Sequence, residues 1–354
     1  MAKSIKPKKY KAISNRRILT PKMYGYLSLA LIISLLYYFT LASNLSFKSQ
    51  KYFLVVTPNT SVEKLANTLS SKGIIKNKYT FKAIAKAMQW KQVNSGMYEI
   101  QKGWGNVHLI SYLQNTTPFK YRQLQVRSYR NRSNIIRHIC KQANLNFKQF
   151  YESLNDVPLL KSLGFSKESI FVIFLPNKYE VPVNTTAKQI LEILTSHFEQ
   201  YWTDEKMEAL SNSRLDPIKA TVLSTIVFAE TKNIFEMPII AGVYINRLNR
   251  GMRLESDPTL VFAKGDFSMK RIYRKHTQQD SDYNTYRKKG LPPGPIGVIN
   301  HAAIEAVVNY TEHDYIFFCA NQNLNGTHLY SETYHEHKQH AARYRGALNK
   351  HKVK

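Results

Sequence analysis

The sequence predicts an α+β protein with an N-terminal single transmembrane helix, a small α+β module and a larger mixed α/β domain. Three observations lead there. Residues 23–42, MYGYLSLALIISLLYYFTLA, carry no charge; that length crosses a bilayer core once, and its Tyr pairs suit the two interfaces. Residues 48–122 alternate strand and helix patterns over a short span. From 123 to 348, amphipathic helices are interspersed with short apolar strands. A length of 354 residues fits two folded domains with extensions. The expected layout is a basic tail at 1–22, a membrane helix at 23–43, the small module at 48–122 and the larger domain at 123–348.

The formal net charge is +27, which calls for an anionic partner or an anionic surface nearby. Residues 1–22 hold eight Lys or Arg and no acid, and the first acidic residue is Glu63. Beside an apolar run, such a flank stays on the cytoplasmic side, so the rest of the chain is expected outside the inner membrane. A cleaved signal peptide fits less well, because its apolar region would be shorter and closed by a small-residue site. The remaining positive charge is scattered, with no aromatic-interleaved or zinc-finger pattern. Nucleic acid is therefore not an expected partner. The two cysteines, Cys140 and Cys319, form neither a disulfide framework nor a metal motif.

Along the chain, KSQKYFLVV (48–56) reads as a strand. A helix follows, capped by Thr60 or Ser61 and stopped near Gly73. IIKNKYTFKAIAKAMQW is a second helix, and SGMYEIQ a strand before a Gly-containing turn. QLQVRSYR (123–130) opens the larger domain as a strand. Helices are expected in SNIIRHICKQA, NFKQFYESL and AKQILEILTSHFEQYW, and one strand over 170–182. Asp216 and Pro217 begin the next helix. There Leu223, Ile226, Val227, Glu230 and Ile234 fall on one stripe. A helix from Pro238 to Gly251, a polar turn MRLESDPTL, and a long loop over 283–297 stiffened by prolines come next. Asn300 caps a helix, DYIFFCA (314–320) is a strand, and a His-rich polar helix ends the domain.

Glu230 sits on a face that should be buried. Such a carboxylate is either structural, held by a cation or by amides, or an acid whose pKa is raised by desolvation. A carboxyl kept protonated in an apolar cleft can protonate a poor leaving group such as a glycosidic oxygen. Periodicity alone leaves both readings open. His328, His335, His337 and His340 match no established metal spacing and read as solvated residues of a polar helix, so neither metal nor other cofactor is expected.

The blocks STIVFAETKN, PIIAGVYINRLNRGMRLESDPTL, YNTYRKKGLPPGPIG, DYIFFCA and HLYS…EH, in this order and spacing over about 215–345, resemble the endolytic murein transglycosylases, the MltG or YceG-like family. The anchor and the small module, which resembles that family's LysM-like domain, extend the likeness to most of the chain. The resemblance implies cleavage of the MurNAc–GlcNAc bond within peptidoglycan strands. One carboxylic acid, Glu230, would protonate the leaving oxygen and then deprotonate the MurNAc C6 hydroxyl, giving a 1,6-anhydro end. Many members carry a second Glu where this chain has Phe228. On a helix that position lies about 200° around from Glu230, so Glu230, followed by Thr231, is the expected acid.

The likeness marks further positions. Thr231, Asn246, Asp257, Asn284, Thr285, Tyr286 and His328 are expected at or near substrate. Asn246 with Arg247 can equally close a helix end, Asp257 can simply form its turn, and Leu291–Gly294 reads as scaffold. Peptidoglycan synthases are expected neighbours by family analogy only. Two rival readings keep the fold: a tethered peptidoglycan-binding scaffold with a decayed site, for which Phe228 is the support, and a hydrolytic muramidase using Glu230 with Glu255 or Asp257.

Overall fold

The computed structural model describes residues 20–269, 272–298 and 300–350. Most of the basic tail lies outside the described residues. The chain divides into two compact units, one comprising residues up to Ser46 with Ser61–Gln92 and Gly103–Asn115, the other Phe47–Thr60, Val93–Lys102 and Thr116 onward.

The first unit is helical. Helix α1 (Pro21–Thr40) is opened by Thr20, whose side chain accepts from the Met23 amide. Over Lys22–Thr40 it is long and apolar enough to cross a membrane, and none of that stretch is buried. Helices α2 (Val62–Ser71), α3 (Lys78–Ala87) and α4 (Asn106–Asn115) follow. Ser61, not Thr60, caps α2, and Asn77 caps α3. Two buried asparagines tie these helices together: Asn44 Nδ2 donates to Asn106 Oδ1 (2.7 Å), and Asn106 Nδ2 donates to Thr80 Oγ1 and Phe39 O. Each amide is satisfied, so the burial carries little desolvation cost.

In the second unit, β1 (Lys51–Val56) pairs antiparallel with β2 (Gly96–Gln101). Of the span 48–122, helices α2, α3 and α4 belong to the first unit and strands β1 and β2 to the second. Strand β3 (Tyr121–Val126) pairs antiparallel with β4 (Asn177–Pro182). Between and after them come α5 (Arg132–Ala143), α6 (Phe147–Ser153), α7 (Val157–Ser162), α8 (Ala187–Tyr201) and α9 (Asp204–Leu210). The run at 170–182, read as one strand, corrects to a buried 3-10 turn at Ser169–Ile173 followed by β4. Ile170, Val172, Ile173 and Phe174 are all buried, so no alternation marks two faces. Pro176 lacks the amide a continuous ladder would need.

Helix α10 (Pro217–Glu230) is buried on every side from Ala220 to Val227. That explains its apolar composition without strong amphipathicity. It packs against α11 (Met237–Asn249) and α13 (His301–Val308), with α12 (Asp257–Lys264) between them in sequence. Helix α12 corrects the expected polar turn. Pro258 sits in its first turn and Gly265, in the left-handed region at φ 71°, stops it. Ile234, expected on the α10 stripe, lies beyond the helix end and is exposed. The domain ends with the antiparallel pair β5 (Phe317–Ala320) and β6 (His328–Ser331), then α14 (Tyr334–Lys350). Cys140 is buried, Cys319 half-buried, and both are free thiols.

The proline loop over 283–297 is fixed from several sides. Arg132 Nη2 donates to Tyr283 Oη (2.8 Å) and Pro295 O (3.0 Å), with its guanidinium 4.3 Å from the Phe171 ring centre. The Ile296 amide donates to Thr225 Oγ1 on α10. At Gly294 an added Cβ would lie 2.1 Å from the Glu168 carbonyl oxygen. Backbone cannot yield as a flexible side chain does. Gly294→Ala should therefore destabilise the protein by roughly 3 kcal/mol, read as a lowered melting temperature, whereas Gly290→Ala meets no atom within 4 Å and should lose only the cost of its positive φ.

Candidate active site

Glu230 is the last residue of α10, and Thr231 already has extended backbone. Its carboxyl is half-buried. Oε1 accepts from Tyr244 Oη (2.7 Å) on α11 and from Ser256 Oγ (2.6 Å) just before α12. Both donors go to one oxygen; Oε2 has no hydrogen-bond partner among the described residues. Desolvation raises the Glu230 pKa, and Asp257 nearby adds to the rise. The hydroxyls of Ser256 and Tyr244 pull it partly back. Position at a helix C-terminus, where unpaired carbonyls face the anion, acts in the same upward direction.

Ser256 is aimed by strain and by a hydroxyl cluster. Glu255 before it adopts φ 54°, a region that costs a residue with a Cβ of order 1 kcal/mol or more. Two bonds hold it there: its amide donates to Thr285 O (3.2 Å), and its carboxylate pairs with the buried Arg247. The Ser256 amide donates to Thr285 Oγ1 (3.0 Å). Thr259 Oγ1, 2.8 Å from Thr285 Oγ1, donates to the Ser256 carbonyl.

The expected substrate residues separate into two groups. Asp257 lines a cleft of about 1190 Å³, together with Ala229, Arg130, Phe267, Tyr273 and Arg345. Tyr286 Oη donates to Asp257 Oδ1 at 2.6 Å. The others bond to protein. Asn246 Nδ2 donates to Tyr315 O (3.0 Å) and His313 O. Asn284 is fully buried; its Nδ2 donates to Thr277 O and Gln279 O while its Oδ1 accepts from the Tyr286 amide. Thr285 supports Ser256, and Thr231 Oγ1 donates to Glu236 Oε2 (3.3 Å). His328 binds Glu236 through both its amide and its ring. Phe228 is half-buried, with the Lys232 ammonium 3.4 Å from its ring centre.

Tyr244, Ser256 and Glu236 were not legible as site residues. Tyr244 reads as helix core, and its i+14 spacing from Glu230 crosses a helix junction. Ser256 is hidden in an apparent turn. Glu236 stands just before α11, two residues ahead of Pro238, and reads as an ordinary acid at a helix start.

Glu230 is thus a carboxyl held through one oxygen, next in sequence to Ala229, which lines the cleft with Asp257. The particular family follows from comparison: the YceG-like family profile matches residues 54–343, and this chain belongs to the YceG-like family. It is 24% identical over 313 residues to the endolytic murein transglycosylase of Bacillus subtilis (strain 168), covering 83% of this chain and 85% of that one. A protein of the same name from Streptococcus pneumoniae (strain D39) is 24% identical over 330 residues, covering 83% of this chain and 58% of its own length. A crystal structure of a yceG-like protein from Listeria monocytogenes shares the fold, with a TM-score of 0.51 and 23% identity over 82% of this chain and 99% of that one.

The raised Glu230 pKa has a thermodynamic signature. Below the unfolded pKa of about 4.3, both states carry the proton and the carboxyl costs nothing. Above it the unfolded chain ionises first, so the folded state loses stability until pH passes the folded pKa. Glu230→Gln keeps an oxygen to accept from Tyr244 and Ser256 and removes that penalty. Its melting temperature should exceed the wild type's at neutral pH, and the gain should vanish as pH falls below 4; an unchanged difference across that range would contradict the raised pKa.

Proposed function

We propose that this chain is a membrane-anchored endolytic lytic transglycosylase that cleaves MurNAc–GlcNAc bonds in peptidoglycan strands and leaves 1,6-anhydroMurNAc ends. The observation that carries this reading is the Glu230 carboxyl, desolvated and fixed through Oε1, with no hydrogen-bond partner for Oε2 among the described residues. Family membership and the names of the relatives support the reaction class.

In this reaction Oε2–H protonates the glycosidic oxygen as the C1–O bond breaks, its electron pair passing to the departing GlcNAc oxygen. Positive charge develops at C1 of MurNAc. The Glu230 carboxylate then takes the C6 hydroxyl proton as O6 bonds to C1, which restores the acid. The substrate supplies its own nucleophile, so no second carboxylate is required. Tyr244 and Ser256 keep Oε1 in place while Oε2 changes state, and they support the ionised form that exists between the two proton transfers. Asp257 and Tyr286 offer an acceptor and a flat apolar face to sugar at the rim of the cleft. Phe228 does not remove the acid, because Glu230 holds the position that Tyr244 and Ser256 serve.

The uncharged span 23–43 anchors the chain, with the tail at 1–22 cytoplasmic and the rest beyond the inner membrane, close to nascent glycan. Residues 48–122 form a LysM-like glycan-contacting module ahead of the catalytic domain at 123–348. Peptidoglycan synthases are the partners this placement favours.

End-group analysis of digested peptidoglycan tests the reaction. Wild type should release fragments with anhydroMurNAc ends, and Glu230→Gln should lose about 10²–10⁴-fold in rate while remaining folded. Reducing ends would instead support a hydrolytic muramidase, and intact strands a binding scaffold. Activity should also fall as pH rises through the raised Glu230 pKa, because the acid form is the one that begins the reaction.

A further inference from the structure

A second buried carboxylate stands one short turn beyond the acid. Glu236, at the start of α11, is 7% exposed. Four donors converge on it: Thr231 Oγ1 (3.3 Å), Tyr330 Oη (3.3 Å), the His328 amide (2.7 Å) and His328 Nδ1 (3.1 Å). Thr231 directly follows Glu230, so the same carboxylate grips both the acid's neighbour and the histidine on β6. The Phe318 ring completes the link, 5.8 Å from the Tyr244 ring and 5.5 Å from that of His328. Tyr244 in turn holds Glu230.

A carboxylate only accepts hydrogen bonds, so the ring nitrogen facing Glu236 must carry the hydrogen. In a neutral imidazole this leaves Nε2 with its lone pair. Nε2 has no partner among the described residues, and unlike Nδ1 of His301 and His337 it is not a sealed, unsatisfied atom. We propose that Glu236 is a positioning residue that fixes His328 in the Nδ1–H form, so that His328 Nε2 accepts a hydrogen bond from a sugar hydroxyl of the glycan bound beside Glu230. The proposal rests on the reaction assigned above and adds a second substrate contact to it. No proton need leave the hydroxyl for this contact. His328 orients the sugar, and Glu230 carries out the proton transfers.

Glu236→Gln separates positioning from mere structure. The Gln amide fits the same space, yet its NH2 donates to Nδ1 and so reverses the tautomer. The full chain, labelled with ¹⁵N-histidine, should show a bare Nε2 on His328 in the wild type and a protonated Nε2 in Glu236→Gln. On peptidoglycan, Glu236→Gln and His328→Ala should each lose roughly 10²-fold in kcat, and His328→Gln, which restores an acceptor, should recover part of that loss. A protonated Nε2 in the folded wild type, or undiminished kcat in His328→Ala, would overturn the proposal. The labelling result does not depend on turnover. A wild type that leaves strands uncut would therefore sink the reaction assignment, while the tautomer measurement would still decide the Glu236–His328 pairing.

Discussion

The site depends on one placement: a carboxyl at the C-terminal end of a helix with no exposed face. Helix α10 is buried from Ala220 to Val227, so the direction and depth of its last residue are fixed by packing on all sides. Burial of this kind makes ionisation costly. The surrounding chain offsets part of that cost with two hydroxyls on a single oxygen. Had Tyr244 and Ser256 bonded one oxygen each, both oxygens would have a protein partner. Because both choose Oε1, Oε2 has no hydrogen-bond partner among the described residues.

Much of the second unit can be understood as support for that asymmetry. The strained Glu255 turns Ser256 toward Glu230, and Arg247, Thr259 and Thr285 hold the strain in place. The proline loop brings Thr285 to this cluster, and Thr225 on α10 binds the same loop at Ile296. The helix that carries the acid therefore also fixes the loop that positions its hydrogen-bond donor. On the opposite side Glu236 joins Thr231 to β6.

The sequence was informative where local chemistry decides structure. Asp216 and Pro217 marked the start of α10, Asn300 that of α13, and the apolar stripe through Leu223, Ile226 and Val227 placed Glu230 on a face that packs inward. It failed where tertiary packing decides. An apolar run with no alternation hid the 3-10 turn at Ser169–Ile173, and a short helix with Pro in its first turn passed for a loop at Asp257. Tyr244, Ser256 and Glu236 were illegible for a related reason. Their roles arise from contacts across helix junctions, which no spacing along the chain records. The Asn246 and Asn284 amides donate to backbone carbonyls, contacts that no spacing along the chain records either.

Burial in this environment raises the Glu230 pKa above the usual carboxyl range. Selective ¹³C labelling of glutamate, with Glu230→Gln to assign the signal, allows its titration to be followed directly by NMR in the intact chain. A midpoint clearly above the ordinary glutamate value of about 4.3 is the predicted result. A midpoint at or below that value would mean that Glu230 is an ionised structural carboxylate, and the account of the site would be wrong.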